Sequence, residues 1–128
     1  MANLTHIMPF FIVDSLSASV AFYVDKLGFE VHHIGPDNDP FWAIVGRDNI
    51  AIMLKGITPE VKSLPNHTRQ PWAGWDAYIS AADPETLYDE YKSRGLNFRQ
   101  PLKVNSDNLL GFELADADGY VLFFGRPE

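Results

Sequence analysis

The sequence predicts an α+β fold made of two βαβββ modules, and three observations carry that prediction. One pattern occurs twice. Asp14-Ser15 opens an amphipathic run, Leu16 to Leu27, that stops at Gly28 and passes into Phe29 to Ile34. Asp83-Pro84 opens a second run, Glu85 to Arg94, that stops at Gly95 and passes into Leu96-Asn97-Phe98. Each run follows an apolar strand-like stretch and precedes further short strands. A module of half this chain is too short to bury a core alone, so the two must pack together or on a second chain. The implied organisation is a single domain over 1–128, with module one at 1–55, a linker at 56–72 and module two at 73–128.

His6 to Val13 is a nearly unbroken apolar run and reads as a strand buried on both faces. Asp14 or Ser15 caps the first helix, whose core stripe is Leu16, Val20, Tyr23 and Leu27, with Gly28 just past its end. Phe29–Ile34, Phe41–Val45 and Ile50–Leu54 read as strands. They are joined by the turn-forming stretch Gly35 to Pro40 and a tight turn over Gly46 to Asn49. Pro59, Pro65 and Pro71 mark residues 56–72 as a linker. The second module repeats the plan. It has a strand over Gly74–Ala81, a helix with Pro84 in its first turn, strands over Phe98–Val104 and Leu109–Leu114, the turn Asp116 to Gly119, and a last strand over Tyr120–Phe124.

Composition narrows the function classes. The 128 residues are 46% apolar, with 17 acidic against 10 basic side chains and a formal charge of −7. No Lys/Arg cluster exists to meet a phosphate backbone, so nucleic acid is excluded as a partner. The absence of Cys removes disulfides, thiol catalysis and thiolate metal sites together. No apolar run has the length of a membrane span and nothing resembles a signal peptide, so the expected location is cytoplasmic.

The phrases Ser19-Val20-Ala21-Phe22-Tyr23, Lys26-Leu27-Gly28-Phe29 and Asp116-Ala117-Asp118-Gly119-Tyr120 fall in order along nearly the whole chain. In this the sequence resembles the vicinal-oxygen-chelate superfamily of glyoxalase I, extradiol dioxygenases and bleomycin-resistance proteins. The resemblance implies the glyoxalase/bleomycin-resistance/dioxygenase fold, with paired half-barrels and a homodimer. Metal enzymes of that family carry ligands on the first and last strands of each module. Counted from the shared phrases, those positions fall here on Met8, Met53, Asp76 (Trp75 if the register slips by one) and Phe123. Thioethers and a phenyl ring do not hold a hard or borderline divalent ion, so no metal and no cofactor are expected. His6 would share a strand face with Met8 and offers one ligand under another register. His32 and His33 are read as pointing to opposite faces of their strand.

Alternation places Met8, Phe10 and Ile12, Ala51 and Met53, Asp76, Tyr78 and Ser80, Glu113, and Val121 and Phe123 on the concave side. The expected ligand-binding set is Met8, Phe10, Trp42, Met53, Trp75, Asp76, Tyr78, Glu113 and Phe123. Such an aromatic, thioether-lined cleft with a few carboxylates suits a hydrophobic or cationic small molecule. The same aromatic residues read equally as core, and Glu113 as a rim residue paired with Arg99. The function expected is metal-independent sequestration of the bleomycin-resistance type, an antibiotic-resistance role rather than an enzyme. Two alternatives stay open. One is a glyoxalase-like lyase or isomerase, or a dioxygenase-type enzyme, using a metal site or an Asp76/Glu113 acid–base pair. The other is a dimer with a collapsed, empty cleft.

Overall fold

The computed structural model describes residues 2–56, 58 and 60–128. Met1 and the linker residues Ile57 and Pro59 lie outside the described residues. Strands β1 (Phe10–Ile12), β2 (Glu30–Gly35), β3 (Trp42–Arg47) and β4 (Ile50–Lys55) form one sheet in the order β1-β4-β3-β2. Strands β5 (Ala77–Ser80), β6 (Phe98–Val104), β7 (Leu109–Ala115) and β8 (Val121–Pro127) form a second sheet in the order β5-β8-β7-β6. In each sheet the first and last strands are parallel neighbours and the other pairs are antiparallel, so the two modules share one topology. The repetition is close: Phe10 opposite Met53 in the first sheet is matched by Tyr78 opposite Phe123 in the second. The α+β fold of two βαβββ modules stands as the sequence predicts.

The two helices that follow the first strand of each module start at side-chain caps. Helix α1 (Leu16–Ala21) starts at Ser15, whose hydroxyl accepts from the Ala18 amide. Helix α3 (Pro84–Ser93) starts at Asp83, whose carboxylate accepts from the Thr86 amide and hydroxyl. Gly28 and Gly95 follow the two helical runs at φ +76° and +78°, a conformation that a Cβ disfavours.

The structure departs from the sequence reading in four places. The first helical run is not α-helical throughout, because Phe22–Lys26 forms a π turn. Tyr23 precedes Gly28 by five residues, whereas its counterpart Tyr91 precedes Gly95 by four, and the wider turn takes up the extra residue. The first strand covers only Phe10–Ile12, and it is not buried on both faces. Phe11 and Val13 enter the core, while Phe10 keeps 52% and Ile12 37% of its surface exposed. Strand β2 carries a bulge between Val31 and His33. Finally, the linker contains one helical turn, α2 (Asn66–Arg69).

One core joins the modules. Phe11, Tyr23, Leu27, Val45, Ile52 and Leu54 from the first meet Tyr91, Phe112, Leu114, Leu122 and Phe124 from the second in a single buried cluster. Specific bonds fix the junction. The Tyr23 hydroxyl donates to Asp116 (2.6 Å), the Tyr91 hydroxyl donates to the Leu27 carbonyl (2.9 Å), and Tyr120 donates to the Ile12 carbonyl (2.6 Å). Arg47 makes a two-pronged pair with Glu90, with both N–H···O distances 2.8 Å. The helix-bearing faces of both sheets therefore converge inside the chain, and the opposite faces are left outward. No helix among the described residues is long and apolar enough to cross a membrane.

Candidate functional site

The outward face of the second sheet is built around Phe123. It lies on β8 between Gly111 and Gly125, where a Cβ would come within 2.5 and 2.6 Å of its ring. Glycine at both positions lets the ring lie flat against the backbone. Trp75 stacks over Phe123 with ring centroids 4.4 Å apart, and Tyr78 stacks beside it at 5.5 Å. Phe123 is consequently 0% exposed, while Tyr78 keeps 43% of its surface open. A ligand meeting this face touches Trp75 and Tyr78, with Phe123 as the layer that holds them. Trp72, at the linker exit, is 81% exposed.

Both carboxylates expected in the cleft are engaged. Glu113 Oε2 accepts from the Trp75 indole N–H at 2.9 Å and Oε1 accepts from Arg99 at 2.7 Å. The Arg99 pairing is the rim reading of Glu113. The indole bond also fixes the plane of Trp75. Asp76 Oδ1 accepts from the Asn66 amide and Oδ2 from the Val121 amide, both at 2.8 Å. Asp76 thus pins the linker to β8 and is not a free charged anchor. An acid–base pair of Asp76 and Glu113 would need each to release two partners first.

On the first sheet, Phe10, Met53, Ile44 and Trp42 line the outward face, with Trp42 lying across Gly35. Both His32 and His33 are on this side, contrary to the sequence reading. A Cβ on Gly46 would run into the His32 imidazole, and His33 pairs with Ile44, because the bulge breaks the alternation. His6 precedes β1, is exposed and bonds Thr5. Met8, Met53, Asp76 and Phe123 do not make a metal site. They offer two thioethers, a phenyl ring inside a stack, and a carboxylate bonded to amides. Among the described residues no group of three or more His, Asp or Glu is placed to hold a metal.

Within one chain the predicted ligand set divides into two surfaces. Phe10, Trp42 and Met53 are on one sheet, and Trp75, Tyr78, Glu113 and Phe123 on the other. Two cavities are prominent, and neither contains Met53 or Phe123. One of about 440 Å³ runs between the modules past Ile50, Ile79, Leu87 and the Arg47–Glu90 pair. The other, about 330 Å³, lies between β1 and the linker and includes Phe10, Asp76 and Tyr120.

The phrase Asp116 to Tyr120 proves structural. Asp116 Oδ1 accepts from the Asp118 and Tyr120 amides, closing the turn, while Oδ2 receives the Tyr23 hydroxyl. Burial pushes the Asp116 carboxyl up to about 6, against the opposing pull of these bonds. Burial and the adjacent Asp116 push the Tyr23 phenol well above its ordinary value.

The family model of the glyoxalase/bleomycin resistance protein/dioxygenase superfamily matches residues 3–124. Among curated proteins none matches the sequence. Solved structures share the fold at low identity. The bleomycin-binding protein of bleomycin-producing Streptomyces verticillus, solved with copper(II)-bleomycin, is 24% identical over 100% of both chains, with a TM-score of 0.71. TnmS3, an antibiotic binding protein from Streptomyces sp. CB03234, is 19% identical over 100% of both chains, with a TM-score of 0.68. A glyoxalase-related enzyme from Clostridium phytofermentans is 11% identical, with a TM-score of 0.75, covering 99% of this chain and 98% of its own. The family match over nearly the whole sequence, on this topology, makes the chain a member of the glyoxalase/bleomycin resistance protein/dioxygenase superfamily.

Proposed function

We propose that this protein sequesters a hydrophobic small molecule without chemistry, on the aromatic face built by Trp75, Tyr78 and Phe123. The observation that carries the reading is the stack itself. Three aromatic rings are held flat on an outward sheet face, one fixed by its N–H bond to Glu113, and both neighbouring carboxylates, Glu113 and Asp76, are already hydrogen-bonded. Rigid aromatic platforms bind flat ligands with little ordering cost. Two structural neighbours of this fold are a bleomycin-binding and an antibiotic binding protein, which supports the sequestering role.

A homodimer belongs to the same proposal. The helix faces are consumed by the internal core, so one chain cannot fold its own two outward faces over a ligand. A second copy, placing its Phe10, Trp42 and Met53 opposite Trp75, would complete the cleft and cover the exposed Phe10 and Ile12. The enzymatic alternative loses support from the bonds that occupy Asp76 and Glu113.

The test is to dialyse the protein against a chelator and titrate it with planar aromatic compounds. Bound compound should come back chemically unchanged, with elemental analysis finding no stoichiometric divalent metal. Turnover of the compound, or about one retained equivalent of metal per chain, would overturn the reading.

A further inference from the structure

We infer that the ligand suited to the Trp75 face is a planar aromatic anion, such as an aromatic carboxylate or sulfonate, rather than a cation. This rests on the reading above that the face is the binding site. The charges around Trp75 decide the matter. Glu113 is the carboxylate beside the stack, and Arg99 neutralises it at 2.7 Å while Trp75 occupies its other oxygen. Arg99 uses Nη1 for that pair and for a weak contact to the Gly74 carbonyl, and its Nε and Nη2 have no partner among the described residues. Lys103 is exposed and pairs with Gly111 on the same side, so it faces the same way as Glu113. On strands β6 and β7, Arg99, Lys103 and Glu113 together leave one net positive charge, within a chain whose formal charge is −7.

Asp76, the other nearby carboxylate, is turned into two backbone amides and lies in the groove beside Lys62. The first sheet brings no excess of negative charge if a second copy closes the cleft. On its strands the outward-facing charges are Glu30, opposite Gly46, and Lys55, opposite Trp42. The face of an indole attracts cations. Yet a cation stacked on Trp75 would lie beside the Glu113–Arg99 pair with no carboxylate free to receive it. An anion meets the open edge of a guanidinium fork, whose planar geometry suits carboxylate and sulfonate oxygens. Ligand selectivity by charge follows from which side of the Glu113–Arg99 pair is left unsatisfied.

Calorimetric titration with two planar tricyclic probes, anthraquinone-2-sulfonate and cationic proflavine, tests this on the intact protein. The sulfonate should bind at least about tenfold more tightly. Arg99→Gln frees the Glu113 carboxylate and should reverse the order. Lys103→Gln, an exposed position, should weaken sulfonate binding severalfold, and it keeps the test open if Arg99→Gln does not fold. Tighter proflavine binding to the wild type, lost in Trp75→Ala, would overturn the charge assignment while leaving the aromatic site intact. Equal affinities that neither charge variant alters would overturn it too. Binding of neither probe by folded protein would overturn both the assignment and the site.

Discussion

Asp76 shows how a residue can be placed on the right strand face and still carry a different role. Alternation along Gly74 to Ala81 sets its side, but its partners are the amides of Asn66 and Val121, ten residues back and 45 ahead. No local pattern encodes such bonds. Asp76→Asn should therefore lower stability by about 1–3 kcal/mol, because at most one of the two amides keeps an acceptor. Denaturant unfolding checks this. An unchanged midpoint with a lost ligand affinity would restore Asp76 as a binding residue. Glu113 is the complementary case: its pairing with Arg99 was legible as a possibility, since both sit in strands of one module, but its bond to Trp75 was not. Phe123 was legible as outward-facing. Its burial under Trp75 was not, because a stack depends on how the chain before β5 lies across the sheet.

At the scale of elements, what was legible came from caps, glycines and periodicity. What was missed came partly from irregularities of one residue, and partly from the open face of β1 and the helical turn α2 in the linker. The π turn at Phe22–Lys26 has a visible signal, the five-residue gap between Tyr23 and Gly28 against four between Tyr91 and Gly95. The bulge in β2 has none, and it moves His33 to the side of His32. The Tyr23–Asp116 bond between α1's π extension and the β7–β8 turn joins the modules through a buried, raised carboxyl. Tyr23→Phe should cost about 1–3 kcal/mol by leaving a buried acceptor unpaired. The pH dependence follows from the direction of the shift. With the folded value raised from 3.8 to about 6, the native state holds this proton more tightly than the unfolded chain. The Asp116 contribution to stability is full below the ordinary carboxyl range and declines as pH rises to about 6. The stability difference between wild type and Asp116→Asn should therefore shrink by about 2–3 kcal/mol between pH 4 and pH 7. A constant difference across that range would show that Asp116 titrates normally.

For the whole molecule, the repeat was legible because two similar half-chains of this length need each other's apolar faces. Which faces meet was not. A strand pattern labels a residue as facing the helix or facing away, and both sheets could have closed either side on the other. The single core containing Phe11, Tyr23, Tyr91 and Phe124 settles that the helix sides meet. This leaves two outward faces on which Phe10, Ile12 and Tyr78 stay exposed, and the proposed second copy would cover them. Sedimentation at micromolar concentration should accordingly show a dimer, and a monomer would contradict the composite cleft. The Arg47–Glu90 pair at the junction is about one-quarter exposed on each side. Its removal by Glu90→Gln should lower stability by only about 1 kcal/mol, and less at high salt.

The most direct test of the central claim, sequestration on the Trp75 platform, is a titration that compares wild type with Trp75→Phe and Trp75→Ala in chelator-treated protein, with melting temperatures measured alongside. Saturable binding of a planar aromatic ligand is expected, weakened by Trp75→Phe and lowered about five- to a hundredfold by Trp75→Ala, the range that a stacking loss of about 1–3 kcal/mol gives. Undiminished affinity in a folded Trp75→Ala protein would place the ligand elsewhere and contradict it.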